Sequence, residues 1–397
     1  MDSEKIKKRH EQLTAQLSGG LVVVSSYDQV QLSNDMVAPF LQEANFLWLT
    51  GITLPGWKVI IDGIRQHVVL VRPSRSEAEV IFDGKTDEEA LLETTGANEI
   101  IDETDFETRL RQLSRQHTIA YTPYRPHPHH FVMNPAPAEL HSLLCRIFPK
   151  VVDCSDQLAR LRAIKSPEEI AAIRRAVKLT IMAFTAVRAQ LEEYRYEYEV
   201  EADMTRAFRR ANAAHAYQPI IAGGSHAVTL HYVENSGRIM KNQALLIDVG
   251  ARVDGYAADI TRTYCLKPTK RQQQVHAAVE NAHRRIIALL RPDLLIADYL
   301  RQVDEIMKDA LGEVGLLKNR DDTETYRKYF PHAISHGLGI DVHDSLGAPR
   351  YFQPGMVLTV EPGIYIEEEH IGVRIEDDIL ITADGHENLS RALSTSL

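Results

Sequence analysis

Two stretches constrain the fold of this chain more than any others, because each seats carboxylates inside an apolar strand run. The first is Leu245–Arg262, where Leu245, Leu246 and Ile247 lead to Asp248, Asp254-Gly255 marks a turn, and a second short run carries Asp259. This is a β-hairpin pattern. Asp248 and Asp259 are an odd number of positions apart. If the turn centres on Val253-Asp254 they sit directly opposite; if it centres on Asp254-Gly255 they are diagonal neighbours. Either register puts both on one face, roughly 4.5–8 Å apart at Cβ. Like charges that close within apolar strands are costly unless a cation lies between them. The competing reading is a pair of solvated Asp residues beside a turn.

The second stretch shifts the balance toward the first reading. Met356–Gly363 is a strand run carrying Glu361, Gly372–Asp378 is another carrying Glu376, and the acidic tip Glu367-Glu368-Glu369 separates them. The parity argument applies again. Between the two hairpins lies a Gly-rich segment with three imidazoles, His332, His336 and His343. Four carboxylates and one imidazole suffice for two divalent metals.

The rest of the chain frames this centre. A length of 397 residues predicts two domains, and 44% hydrophobic with 25% charged residues is ordinary for a soluble protein. A net charge of −10 argues against nucleic acid or an anionic membrane as partner. Cys145, Cys154 and Cys265 have no CxxC spacing and read as free thiols of a reducing compartment. The polar N-terminus is unlike a signal peptide, and no apolar run approaches the ~20 residues of a membrane span. The expected location is the cytoplasm.

In chain order, residues 4–18 read as a charged helix and Leu21–Ser25 as a strand. Asn45–Gly51 reads as an apolar strand-like run. Trp57–Ile61 and His67–Val71 flank Asp62-Gly63 as a hairpin. Glu79–Phe82 reads as a further strand and Asp87–Leu92 as a helix start. Residues 1–160 thus show an α/β alternation. Tyr121–Pro137 is Pro-rich, so His127, His129 and His130 read as loop residues without ligand partners.

A second domain, 161–397, opens at Ser166-Pro167-Glu168-Glu169, a capping box with Pro at the first helical position. A further helix is predicted over Tyr198–Ala213, and His231 falls in a strand-like run. Lys270–Leu290 and Ala297–Leu311 carry apolar stripes at helical spacing, which read as packing. Helices followed by a hairpin occur twice, a loose topological duplication.

An oxygen-rich donor set with few imidazoles suits Mn²⁺, Fe²⁺ or Co²⁺ better than structural zinc, with Zn²⁺ retained as a candidate. Two such ions acidify a shared water and turn it into a hydrolytic nucleophile. No GxxxxGK[ST] loop is present, which disfavours nucleotide chemistry. His231, His332 and His343 are candidates for steadying an oxyanion or moving protons. The HxxxH spacing of His332 and His336 also fits a helical zinc pair, but Gly337 and Gly339 break a helix there.

These residues resemble the dimetal site of the creatinase/methionine aminopeptidase family, the pita-bread fold. The motifs are Leu-Ile-Asp248-Val-Gly-Ala, Ala-Asp259-Ile-Thr-Arg-Thr, Ser-His336-Gly-Leu-Gly-Ile-Asp-Val-His343-Asp, Thr-Val-Glu361-Pro-Gly-Ile-Tyr365 and Arg374-Ile-Glu376-Asp-Asp. The leading domain, notably Asn45-Phe-Leu-Trp-Leu-Thr-Gly51, resembles that of bacterial aminopeptidase P. The resemblance implies an α+β chain, with a smaller α/β domain before a pita-bread catalytic domain. It implies that Asp248 binds one metal, His336 and Glu361 the other, and that Asp259 and Glu376 bridge. Glu361 would also accept the water proton. His231 and His343 would orient substrate and steady the oxyanion, His332 would support the proline side, and Arg374 would hold the site. Two divalent ions, Mn²⁺ first, and a proline-containing peptide substrate follow, with a homo-oligomer, dimer or tetramer, expected. Relatives can carry Trp where this chain has Ile81, so the resemblance carries over no role for that aromatic.

Three activities stand open at this point. An Xaa-Pro aminopeptidase is the first. An Xaa-Pro dipeptidase (prolidase) is the second, and it would need a cation for the free proline carboxylate. A metal-free creatinase-like or non-catalytic relative is the third, and the complete ligand set argues against it.

Overall fold

The computed structural model describes residues 3–124 and 132–397, so His127, His129 and His130 lie outside the described residues. The chain divides into two compact units, Met1–Leu161 and Arg162–Leu397. Among the described residues, no helix is long and apolar enough to cross a membrane.

The first unit is built on one mixed sheet. Its strands run in the order Glu99–Asp102, His67–Arg72, Lys58–Asp62, Leu21–Ser25, Ile119–Thr122, Lys150–Asp153. The central pairings are antiparallel and the outer ones parallel. The Asp62-Gly63 turn forms as the sequence predicts, with Asp62 Oδ1 accepting the Ile64 and Arg65 N–H groups at 3.1 Å. Leu21, Val23, Ile60, Val69 and Val71 form one face of the core, against Phe106, Leu110, Leu140 and Leu144 of two helices.

Two predicted strands of this unit are helices. Ala44–Thr50 is helical, with the Glu43 carboxylate accepting the Phe46 N–H and Gly51 closing the end at φ 71°. All but its flanks are buried on every side, so the apolar run carries no readable period. Glu77–Asp83 is also helical, started by a Ser76/Glu79 capping box. Ile81 and Phe82 stand 82% and 86% exposed on it, so no core packing demands the strand their β-propensity suggested. The predicted loop Tyr121–Pro137 is shorter at both ends, since Tyr121 and Thr122 are in a strand and Ala136 begins a helix.

In the second unit two helices precede each of two hairpins. Pro167–Ala189 carries the predicted Ser166/Glu169 capping box, and Glu197–Arg210 follows. Lys270–Ile287 and Ile296–Glu313 precede the second hairpin. Their stripes, including Val275, Val279, Ile286, Val303 and Met307, share one core with Leu358, Val360, Val373 and Ile379 of the strands. The stripes are therefore packing surfaces.

In the first hairpin Leu245–Val249 pairs antiparallel with Ile260–Tyr264, setting Asp248 opposite Thr261. The register continues through Val253↔Tyr256 to a two-residue turn, Asp254-Gly255, at φ 51° and 85°. That is the backbone a type I′ hairpin needs. Of the two registers open to the sequence, the diagonal one forms. In the second hairpin the pairs Val360↔Asp377 and Gly363↔Arg374 set Glu361 across from Glu376. The hairpins meet where the Glu376 N–H donates to the Thr261 carbonyl at 3.0 Å. Fully buried Arg262 fastens this joint, donating to the Thr261 carbonyl at 2.9 Å, the Glu376 carbonyl at 2.8 Å and Asp377 at 2.7 Å.

Candidate metal centre

The strand register brings the four carboxylates to one wall. Asp248, Asp259, Glu361 and Glu376 line a cavity of about 430 Å³ together with His231, His332, His336, His343 and Arg374. Every site residue named from the sequence therefore lies in this one cavity. Three overlapping groups have donor atoms within 4.8 Å of one another: Asp248, Asp259 and Glu376; His336, Glu361 and Glu376; and Asp259, His336 and His343.

His332, His336 and His343 come from an irregular segment rather than a helix, so the helical HxxxH pair of His332 and His336 does not form. The segment folds back on itself, with the Asp344 N–H donating to the Gly337 carbonyl at 2.8 Å. A Cβ on Gly337 would lie 2.4 Å from the Asp344 carbonyl oxygen, and one on Gly339 would lie 2.2 Å from Asp344 Oδ2. Only glycine fits at either position. The Asp344 side chain is held by Arg162 at 3.0 Å and buried Lys165 at 3.4 Å. The rings of His336 and His343 meet edge to face at 4.3 Å. His231 lies in a turn after a short 3₁₀ helix, Gly224–Val228, and not in the predicted strand.

The electrostatics are those of a crowded acidic centre. Burial, reinforced by Asp259 and Glu361, pushes the Glu376 carboxyl well above its ordinary range. Burial likewise raises Asp248, with Arg374 opposing it, and lifts Glu361 to about 7. Burial pulls His336 down, but its bond to Asp259 and the charge of Glu361 outweigh that and raise it to about 9. His332 is pulled down to about 4, first by burial and then by Arg374. His343 is lowered by burial and by His336.

Tyr217, Thr261 and Tyr365 were not legible as site residues. The Tyr217 hydroxyl lies 2.5 Å from Asp248 Oδ1 and 2.6 Å from Asp259 Oδ1, one proton between two carboxylates. Nothing in its sequence neighbourhood marks it. Thr261 Oγ1 donates to Glu376 Oε2 at 2.7 Å. Its even spacing from Asp259 would have placed it on the same face. Arg374 donates to Asp248 at 2.6 Å, to the Tyr365 hydroxyl at 2.9 Å and to Thr261 Oγ1 at 3.1 Å. The Tyr365 hydroxyl sits 2.9 Å from His332 Nε2, whose Nδ1 is 2.7 Å from the Ala333 carbonyl. A carbonyl accepts only, so Nδ1 carries the proton and Nε2 accepts from Tyr365.

This donor set fits divalent metal. Among the described residues the acids outnumber their cations, one hydroxyl proton serves two of them, and Asp378 Oδ1 behind Asp259 is buried without a hydrogen-bond partner. Buried carboxylates this close are otherwise relieved only by protonation. Oxygen donors with one or two imidazoles suit hard or borderline ions.

Comparison with known proteins agrees with this geometry. Residues 171–383 match the model of metallopeptidase family M24, and residues 6–121 match the aminopeptidase P N-terminal domain. The chain is 31% identical to an Xaa-Pro aminopeptidase of Escherichia coli over 98% of its own length and 95% of the relative's. It is 31% identical to Xaa-Pro aminopeptidase 3 of Homo sapiens, over 91% and 76% respectively. Among solved structures, the proline aminopeptidase P II of Yersinia pestis superposes with a TM-score of 0.88 at 30% identity, covering 100% of this chain and 98% of that one. The Escherichia coli aminopeptidase P solved with the inhibitor Pro-Leu superposes with a TM-score of 0.88 at 29% identity, covering 100% and 96%. The second unit is thus a pita-bread domain behind an aminopeptidase P type N-terminal domain, and the chain belongs to metallopeptidase family M24.

Proposed function

We propose that this chain is an Xaa-Pro aminopeptidase, releasing the first residue of peptides whose second residue is proline. The observation that carries the reading is the single cavity in which four carboxylates and His336 face His231, His332, His343 and Arg374. Asp248, Asp259, His336, Glu361 and Glu376 would hold two divalent ions, with Asp259 and Glu376 shared between them and Mn²⁺ as the preferred metal. When bound, the metals supply Lewis-acid polarisation and a water acidified toward neutral pH.

The chain's own residues supply the rest. Glu361, whose carboxylate faces the same cavity, would accept the water proton and return it to the leaving amine. His231 and His343 face the cavity as donors for the oxygen that gains charge when the amide carbonyl is attacked. His332, held neutral and in one tautomer through Tyr365, offers an uncharged edge to the proline side. Arg374 locks Asp248, and through Thr261 the joint of the two hairpins. The Xaa-Pro amide has no N–H, so the site needs no acceptor for it.

Residues 161–397 would carry all of this chemistry, with 1–160 as an accessory domain. Three free cysteines, two of them buried, support a cytoplasmic location. Exposed Leu32, Met36 and Val37 support a homo-oligomer, dimer or tetramer, which sedimentation would read directly. The deciding experiment is a product assay of Mn²⁺-loaded protein on Xaa-Pro and Xaa-Pro-Pro side by side. Cleavage of the tripeptide with the dipeptide poor establishes the aminopeptidase. The reverse identifies a prolidase, and no cleavage with metal bound returns the non-catalytic reading.

A further inference from the structure

Glu197 is the first residue of the helix Glu197–Arg210, and its side chain is completely buried. It has no Lys or Arg partner within 4.0 Å among the described residues. Instead each oxygen accepts two hydrogen bonds. Oε1 takes the Gly223 N–H at 2.7 Å and His226 Nδ1 at 2.9 Å. Oε2 takes the Tyr232 hydroxyl at 2.8 Å and the Gly237 N–H at 2.6 Å. The Glu197 N–H also donates to the Gly237 carbonyl at 3.0 Å.

All four donors belong to one excursion of the chain, 223–237, which brings Leu230, His231 and Val233 to the metal cavity. The ends of the excursion are clamped to Glu197, and its middle is clamped through His226 and Tyr232, whose rings stack at 4.3 Å. A Cβ on Gly237 would lie 2.8 Å from Glu197 Oε2 and 2.5 Å from His226 Cε1, so the close approach requires glycine. Asn235, at φ 47°, ties the returning limb to the strand Ile220–Gly223 by accepting the Ile221 N–H at 2.8 Å. His231 has no side-chain hydrogen bond of its own among the described residues. Tyr232, held by Glu197 and stacked on His226, is its neighbour in the chain.

A buried carboxyl group held by four hydrogen-bond donors keeps its low energy only while all four stay in place. One buried side chain thus restrains the excursion at both ends and in its middle. We propose that Glu197 is a positioning residue for hydrolysis, holding the 223–237 excursion so that His231 faces the carboxylate centre. The proposal rests on the reading of His231 as a substrate-orienting group.

The test uses the Mn²⁺-loaded full chain on Xaa-Pro-Pro, with E197Q, Y232F, H231A and the doubles E197Q/H231A and Y232F/H231A. Glutamine keeps the shape but turns an NH₂ toward two donors. Misplacing His231 by a fraction of an ångström predicts a kcat loss of about 10-fold or more in E197Q, with KM and bound Mn²⁺ nearly unchanged. Y232F removes one donor and predicts a smaller loss of the same kind. If both act through His231, each double is no slower than H231A within about 2-fold. Wild-type kcat in E197Q and Y232F, or losses that multiply in the doubles, overturns the proposal. If E197Q does not fold, the Y232F pair decides. Wild-type kcat in H231A alone would instead remove the role given to His231.

Discussion

At the scale of single residues, the centre is a balance between acids that repel and the few groups that hold them. Arg374 and the Tyr217 hydroxyl are the direct donors to Asp248, and Asp259 shares the Tyr217 proton. Removing either proposed bridging acid takes a ligand from both ions at once. Asp259→Ala and Glu376→Ala should each lose metal and hydrolysis together, read by metal content and product assay. Full activity in either variant would remove the bridging assignment. His343 lies beside His336 and, among the described residues, has no carboxylate as near as the Asp259 that His336 meets at 3.4 Å. His343→Ala is expected to retain metal while losing about 10²–10³-fold in kcat. A metal-free His343→Ala protein would make that residue a ligand instead.

At the scale of elements, the two hairpins and the segment 336–344 are the working parts. The hairpins are joined through Thr261, Glu376 and Arg262. The segment is joined to the start of the domain by Arg162 and Lys165 on Asp344. Lys165 is buried, and burial pulls its pKa down against the raising effect of Asp344. Asp344→Ala would strand this cation. The expected cost is about 3–5 kcal/mol, from denaturant unfolding of the metal-free protein. Because Asp344 follows His343, kcat should fall as well. An unchanged unfolding midpoint would mean that Lys165 finds another partner. Element type was readable where caps or alternation spoke clearly, as at Ser166 and Asp254-Gly255. It was misread at Ala44–Thr50, where burial on all sides erased the period, and at Glu77–Asp83, where the Ser76/Glu79 box was overlooked.

At the scale of the whole molecule, metal and stability are linked through protons. His336, raised to about 9, and Glu361, raised to about 7, bind more protons in the metal-free fold than in the unfolded chain. The stability each contributes is full below its unfolded value, near pH 6.5 for His and 4.3 for Glu. It is lost as pH rises through the folded values of about 9 and about 7. Ligation needs the neutral imidazole and the ionised carboxylate, so metal binding releases these protons. The rise in Tm caused by Mn²⁺ should therefore grow between pH 6 and pH 9, and chelation should abolish it. A gain independent of pH would mean that these two groups do not ligate.

The sequence by itself determined the parity of the carboxylates, and with it their common face, because a strand alternates whatever surrounds it. It also determined the family motifs, the helix starts with local caps, and the two-part organisation. Only the tertiary structure decided which contacts close over long separations. It brought Tyr217 to both Asp residues, set Thr261 against Glu376, and seated Glu197 under the His231 segment. The physical reason is that a side chain's face follows from its neighbours in sequence, whereas its partner follows from how separate elements pack.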